Sequence, residues 1–225
     1  MTSQNTKAFL SLWIVIVVMA ALVFVPAWTF DYWQAWVFLA VYFASSFAIT
    51  LYVMKTDPAL LARRIRGGPF AEREPAQKII MSLTSLGFIG LVVVPALDHR
   101  FGWSRVPPAL ALAGDLLVVL GFLAVLAVFR ENSFTSATIE LAPDQTVIST
   151  GPYALVRHPM YAGALVMLLG IPIALGSWWG LLVISAMLPA LVWRLLDEEN
   201  FLAKNLPGYA EYRKQVRYRL LPPVW

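Results

Sequence analysis

An all-α, polytopic transmembrane helix bundle of about six spans is the fold this sequence predicts, and three observations predict it. Of 225 residues, 60% are hydrophobic and only 13% are charged, against roughly a quarter charged in a soluble domain. Apolar runs long enough to cross a bilayer core, about 20 residues each, recur along the chain. The Lys and Arg residues are also segregated: 12 of the 17 lie in two short blocks. This composition excludes a disordered chain and argues against an ordinary soluble enzyme. With no cysteine there is no disulfide framework, thiolate nucleophile or Cys-ligated metal. The two histidines, His99 and His158, are too far apart in sequence to make a metal cage by themselves.

Each span follows from its own run. Ala8–Trp28 is the first, too long for the apolar core of a secretory signal and without a small-x-small cleavage site. Trp33–Met54 is the second, with Tyr32, Trp33 and Trp36 suited to an interfacial belt. Ile79–Leu97 is the third and Pro107–Phe129 the fourth, with Pro107 and Pro108 placed for a first helical turn. Tyr161–Leu196 is too long for one helix, and Gly176-Ser177-Trp178-Trp179-Gly180 divides it with turn formers. The sequence therefore predicts a tight C-terminal helical hairpin, spans five and six. A single kinked helix with an amphipathic extension is the alternative. Tyr209–Val216 reads as a short amphipathic helix on the membrane surface.

Orientation follows from charge. Lys55, Arg63, Arg64, Arg66, Arg73 and Lys78 separate spans two and three, and Arg194, Lys204, Arg213, Lys214, Arg217 and Arg219 fill the tail. Six spans put both blocks, both termini and the loop 130–160 on one side, which the positive-inside rule makes cytoplasmic. The Arg63–Arg66 block is read as a topology determinant touching lipid headgroups, not as a nucleic-acid site. Residues 1–130 thus read as a four-span scaffold and 131–225 as the chemical core.

Chemistry gathers in two places. After span four come Asn132-Ser133-Phe134-Thr135-Ser136, a possible extended piece at Thr138–Leu141, and a turn at Pro143-Asp144-Gln145. The run Gly151–Gly163, GPYALVRHPMYAG, then leads into span five. An Arg, a His and two Tyr at a membrane entrance are costly unless partnered or solvated. The second place is Arg194–Leu202, RLLDEENFL, where Arg194 and Glu198 share a helix face. Consecutive carboxylates at that helix end oppose both the macrodipole and the lipid surface. Asp115, two turns into span four, is an intramembrane carboxylate near the outer interface.

The ordered set GPYALVRHPMYAG, RLLDEENFL and PGYAEYRKQV (Pro207–Val216) closely resembles the isoprenylcysteine carboxyl methyltransferase family, related to the phospholipid N-methyltransferases. The resemblance covers roughly Asn132 to the C-terminus. It implies a membrane methyltransferase with a cytoplasmic pocket for S-adenosylmethionine and no dinucleotide-binding domain; no G-x-G occurs in the chain. Carried over by position, it implies cofactor contacts from Gln145, Thr146, Val147, Ile148, Tyr153, His158, Pro159, Met160, Tyr161 and Glu198, with Glu199 beside it. It also implies that Arg194 faces the acceptor's carboxylate. Gln145 stands where some members have His, and Leu206-Pro207-Gly208 replaces a commoner Phe-Gly.

The residue chemistry points the same way. Glu198 and the tyrosines can hold a sulfonium, Arg157 or His158 can meet the cofactor's carboxylate, and the Val147–Ile148 backbone can read adenine. A carboxylate acceptor needs only orientation, by Arg194. An amine or thiol needs deprotonation, for which His158 is nearest, so Arg194 and His158 are the catalytic candidates. The expected partners are the bilayer and a lipophilic acceptor. An isoprenylcysteine-like carboxylate leads; phospholipid amines and small thiols stay open, as does an NADPH-dependent reductase sharing an RHP-x-Y-like motif.

Overall fold

The computed structural model describes residues 3–65, 67, 71–72, 74–142 and 144–225; Arg66, Arg73 and Pro143, which the sequence reading used, lie outside the described residues. Eight α-helices follow in order: α1 Ser3–Ala27, α2 Trp33–Thr56, α3 Pro58–Ile65, α4 Pro75–Phe101, α5 Pro108–Glu131, α6 Pro159–Ala174, α7 Gly180–Asn205 and α8 Tyr209–Gln215. Four of them begin at proline, whose fixed φ suits the first turn and whose missing N–H has no helical partner to lose. Gly102, at φ +66°, ends α4, and Gly208, at φ +82°, precedes α8. Both take the left-handed conformation that glycine adopts without a Cβ clash.

The helical bundle is the predicted one, with one difference in the spans. Helices α1, α2, α4, α5 and α7 are long and apolar enough to cross a membrane. The sixth, α6, has 16 residues, about 24 Å at about 1.5 Å per residue, short of the roughly 30 Å hydrocarbon core. The divided hairpin is present: α6 stops at Ala174 and α7 starts at Gly180. Among the described residues Thr138–Leu141 forms bends and no strand. Its N–H groups are taken by side chains instead, Thr138 N–H by Ser136 Oγ and Ile139 N–H by Glu72 Oε2.

Close helix contact is made where small residues meet. An added Cβ at Gly114 would collide with the Ile173–Ala174 backbone, and at Gly170 it would lie 2.6 Å from the Gly114 carbonyl. Seven residues along each helix the pattern repeats: a Cβ at Gly121 would lie 2.8 Å from the Gly163 carbonyl. Gly114 and Gly121 of α5 thus face Gly170 and Gly163 of the antiparallel α6. Small residues let membrane helices approach where no hydrophobic drive separates lipid from protein. The core between the helices holds Val23, Phe38, Leu91, Val118, Ile171 and Ile184.

The bundle has two unlike ends. At one, Trp28, Trp33, Trp36, Trp103, Trp178 and Trp179 are exposed as an aromatic belt. Inside that belt the buried Asp98 carboxylate accepts from Ser104 N–H at 2.6 Å and from the Ser104 and Ser177 hydroxyls at 2.5 Å each. The Tyr32 hydroxyl donates to Leu175 O at 2.5 Å, and His99 stacks on the Tyr32 ring at 3.8 Å. His99 is thus both exposed and packed. The other end carries α3, the loop 132–158, α8 and the tail.

Candidate active site

At that second end lies a cavity of about 390 Å³, within the range of small-molecule sites. Its wall includes Gln145 through Ile148, Tyr153, Arg157 through Tyr161, Arg194 and Glu198. Every residue named from the sequence as a cofactor or acceptor contact therefore reaches the cavity except Glu199, which faces away, and Asp115 lies elsewhere. The two sequence clusters, some 40 residues apart, meet because α6 and α7 are antiparallel: the Tyr161 hydroxyl donates to Glu198 Oε2 at 2.6 Å.

Glu199 is 2% exposed and serves the framework. Its Oε1 takes the Arg157 Nε–H at 2.6 Å and its Oε2 takes the Arg219 Nε–H at 2.9 Å. Arg157 spends Nη1 on the carbonyls of Val216 and Arg217, both at 2.8 Å. The tail completes the support: Arg157 N–H donates to Tyr218 O and His158 N–H to Arg219 O. One face of the RHPMY segment is thereby held against residues 216–219, and the other is left to the cavity. The Tyr212 hydroxyl donates to Tyr153 O at 2.7 Å, and Asn132 Nδ2 donates to the Tyr153 hydroxyl at 2.9 Å.

Arg194 is fixed by residues from the N-terminal half. Its Nη1 donates to Gln77 Oε1 at 2.7 Å, its Nη2 donates to Ala137 O at 3.2 Å, and Glu72 Oε1 lies 2.9 Å away. Gln77 in turn donates to the Asp197 carboxylate. Arg64, Met81 and Thr84 also line the cavity. Residues before 131 are thus part of the site wall, a contribution the division at 130 did not foresee. No short-range pattern marks Glu72 or Gln77; their partners lie 67 or more residues away.

Three polar atoms on residues of this wall are buried without a hydrogen-bond partner: His158 Nε2, the Tyr209 hydroxyl and Thr135 Oγ1. Buried polar atoms are usually paired, so among the described residues these three keep hydrogen-bonding capacity unspent. Burial pushes the His158 imidazole below its ordinary pKa, and Glu198 and Glu199 oppose this only in part; the ring stays neutral. Burial pushes the Tyr153 phenol up to about 12, which keeps it a hydroxyl. Among the described residues, no three of His, Cys, Asp or Glu gather as a metal site.

A second, smaller cavity of about 170 Å³ opens between α6 and α7. Its wall is apolar, and it shares Tyr161, Ala164 and Leu191 with the first. Leu220 and Trp225 of the tail cover it.

The fold and this cavity define a class: an integral membrane helical bundle with a polar-walled cavity at one end. Residues 110–208 match the family described as phospholipid methyltransferase. The chain is also similar to the cobalt-zinc-cadmium resistance protein CzcN of Cupriavidus metallidurans, at 33% identity over 138 residues, 52% of this chain and 62% of that protein. The chain therefore spans less than two thirds of the curated relative it matches.

Proposed function

We propose that this protein transfers a methyl group from S-adenosylmethionine to a lipophilic acceptor, an isoprenylcysteine-like carboxylate being the leading candidate. The observation that carries the reading is the cavity itself, whose wall joins the RHPMY segment to Glu198 and Arg194. Such a wall suits a ligand that is polar, partly cationic and aromatic in one part. When bound, S-adenosylmethionine supplies an electrophilic methyl on a sulfonium.

The chain's own residues do the rest. Glu198, oriented by the Tyr161 hydroxyl, sets negative charge toward a cationic ligand end. The Val147–Ile148 backbone offers polar edges for a heterocycle. Arg194, pinned by Glu72 and Gln77, orients an acceptor carboxylate without needing to move. The adjoining apolar cavity takes the acceptor's hydrocarbon from the bilayer, while the cofactor enters from the aqueous side. The basic blocks put that side, and both termini, in the cytoplasm.

The phospholipid methyltransferase match favours a second reading, an amine acceptor. There the neutral His158, with Nε2 unspent, is the base that takes the ammonium proton.

The test is binding of S-adenosylhomocysteine and of NADPH to detergent-purified protein. S-adenosylhomocysteine is expected to bind, and Glu198→Ala and His158→Ala each to weaken it about tenfold or more. Binding of NADPH without S-adenosylhomocysteine would turn the assignment toward a reductase. Labelled methyl donor with carboxylate, amine and thiol acceptors then separates the readings.

A further inference from the structure

Arg64 sits on α3, outside residues 110–208, yet it lines the main cavity. Among the described residues its guanidinium donates from Nη1 to Ser136 O at 2.8 Å and lies over the Phe129 ring at 5.3 Å. The other two arginines of the wall each have a carboxylate: Arg157 has Glu199 and Arg194 has Glu72. Among the described residues, no carboxylate oxygen lies within 4 Å of Arg64.

We propose that Arg64 is a specificity-determining residue: beside Arg194 it forms a two-guanidinium seat for the oxyanion head of an acceptor whose remainder is apolar. The inference rests on the cavity being the methyl-transfer site and narrows its acceptor to anionic amphiphiles. Charge placement supports it. Glu72 contacts and offsets Arg194, whereas Arg64 feels only the more distant charge of Glu198, which Tyr161 hydrogen-bonds and which serves the cationic ligand. A half-buried guanidinium without a counter-ion is costly, and the fold keeps it at a ligand wall. Burial first, and then the Arg194 guanidinium, draw Arg64 below the ordinary arginine range, so the two cations feel one another. An oxyanion set between them relieves that repulsion and accepts the planar N–H donors Arg64 has left. The apolar side cavity, sharing Tyr161 and Leu191 with the main one, lies where the attached chain would run.

The test uses the full chain in lipid nanodiscs with saturating S-adenosylhomocysteine. Four probes of equal chain length are titrated: octanoate, octyl phosphate, octanol and octylamine. Wild type should bind at least one anionic probe about tenfold tighter than octanol, the scale of a charge-assisted hydrogen bond. Which anion is favoured separates a carboxylate acceptor from a phosphate headgroup. Arg64→Gln should erase that preference while octanol and S-adenosylhomocysteine affinities stay within about twofold. Arg64→Lys should restore part of it, and it carries the test if Arg64→Gln does not fold. An equal loss for all four probes would reduce Arg64 to a tether for Ser136, and a wild-type preference for octylamine would overturn the proposal. If S-adenosylhomocysteine itself fails to bind wild type, the methyltransferase reading falls; if it binds and no anion preference appears, only the Arg64 proposal does.

Discussion

Each end of the bundle buries a carboxylate among donors, and the two ends differ in what is left over. At the aromatic end Asp98 takes three donors from Ser104 and Ser177 and ties two loops together. At the other end Glu199 is equally saturated by Arg157 and Arg219, but its neighbour Glu198 faces a cavity and accepts from the Tyr161 hydroxyl. Three residues of the same wall, Thr135, His158 and Tyr209, each keep a polar side-chain atom without a partner among the described residues. A closed network stabilises loops; an open one holds hydrogen-bonding capacity in reserve for a ligand. The two roles sit on consecutive residues of one helix.

The largest effect expected from breaking this arrangement is at Glu199. Glu199→Ala leaves the Arg157 guanidinium buried without its counter-ion, a change of about 3–5 kcal/mol for a broken buried pair. A lowered midpoint in thermal unfolding, with earlier proteolysis of residues 216–225, is the expected readout. Unchanged unfolding would mean that the Arg157 contacts to Val216 and Arg217 suffice. Asp98→Ala comes next, at about 2–3 kcal/mol, because three donors lose a charged acceptor. Here S-adenosylhomocysteine affinity should hold in the protein that stays folded, since Asp98 is at the far end of the bundle. A matched loss of affinity would show that the two ends are coupled.

The smallest effect is a pH slope. Folded His158 is held neutral by burial, whereas the unfolded chain takes up a proton near about 6.5. The unfolded state therefore binds more protons as pH falls through that value, and stability drops toward the depressed folded pKa before levelling. His158→Gln should flatten this slope between neutral and mildly acid pH. A slope that survives the substitution would assign it to other groups.

Asp115 belongs to neither network. It is 5% exposed, and both its carboxylate oxygens lack a partner.

What the sequence determined by itself was periodic or contiguous. Apolar runs placed the long helices because a bilayer demands about 20 apolar residues whatever their neighbours. Gly176 through Gly180 placed the hairpin break, and GPYALVRHPMYAG with RLLDEE marked where the chemistry gathers. Only the tertiary structure decided which member of a pair turns inward. Glu198 and Glu199 are chemically equivalent, but successive residues on a helix point about 100° apart, and packing of α7 against the tail chose between them. It also brought Glu72 and Gln77 to Arg194 and set Arg64 in the cavity wall. Those contacts join residues 60 to 120 positions apart, so no local pattern encodes them. They exist because α4 packs on α7 and because α3 folds back over the loop after α5.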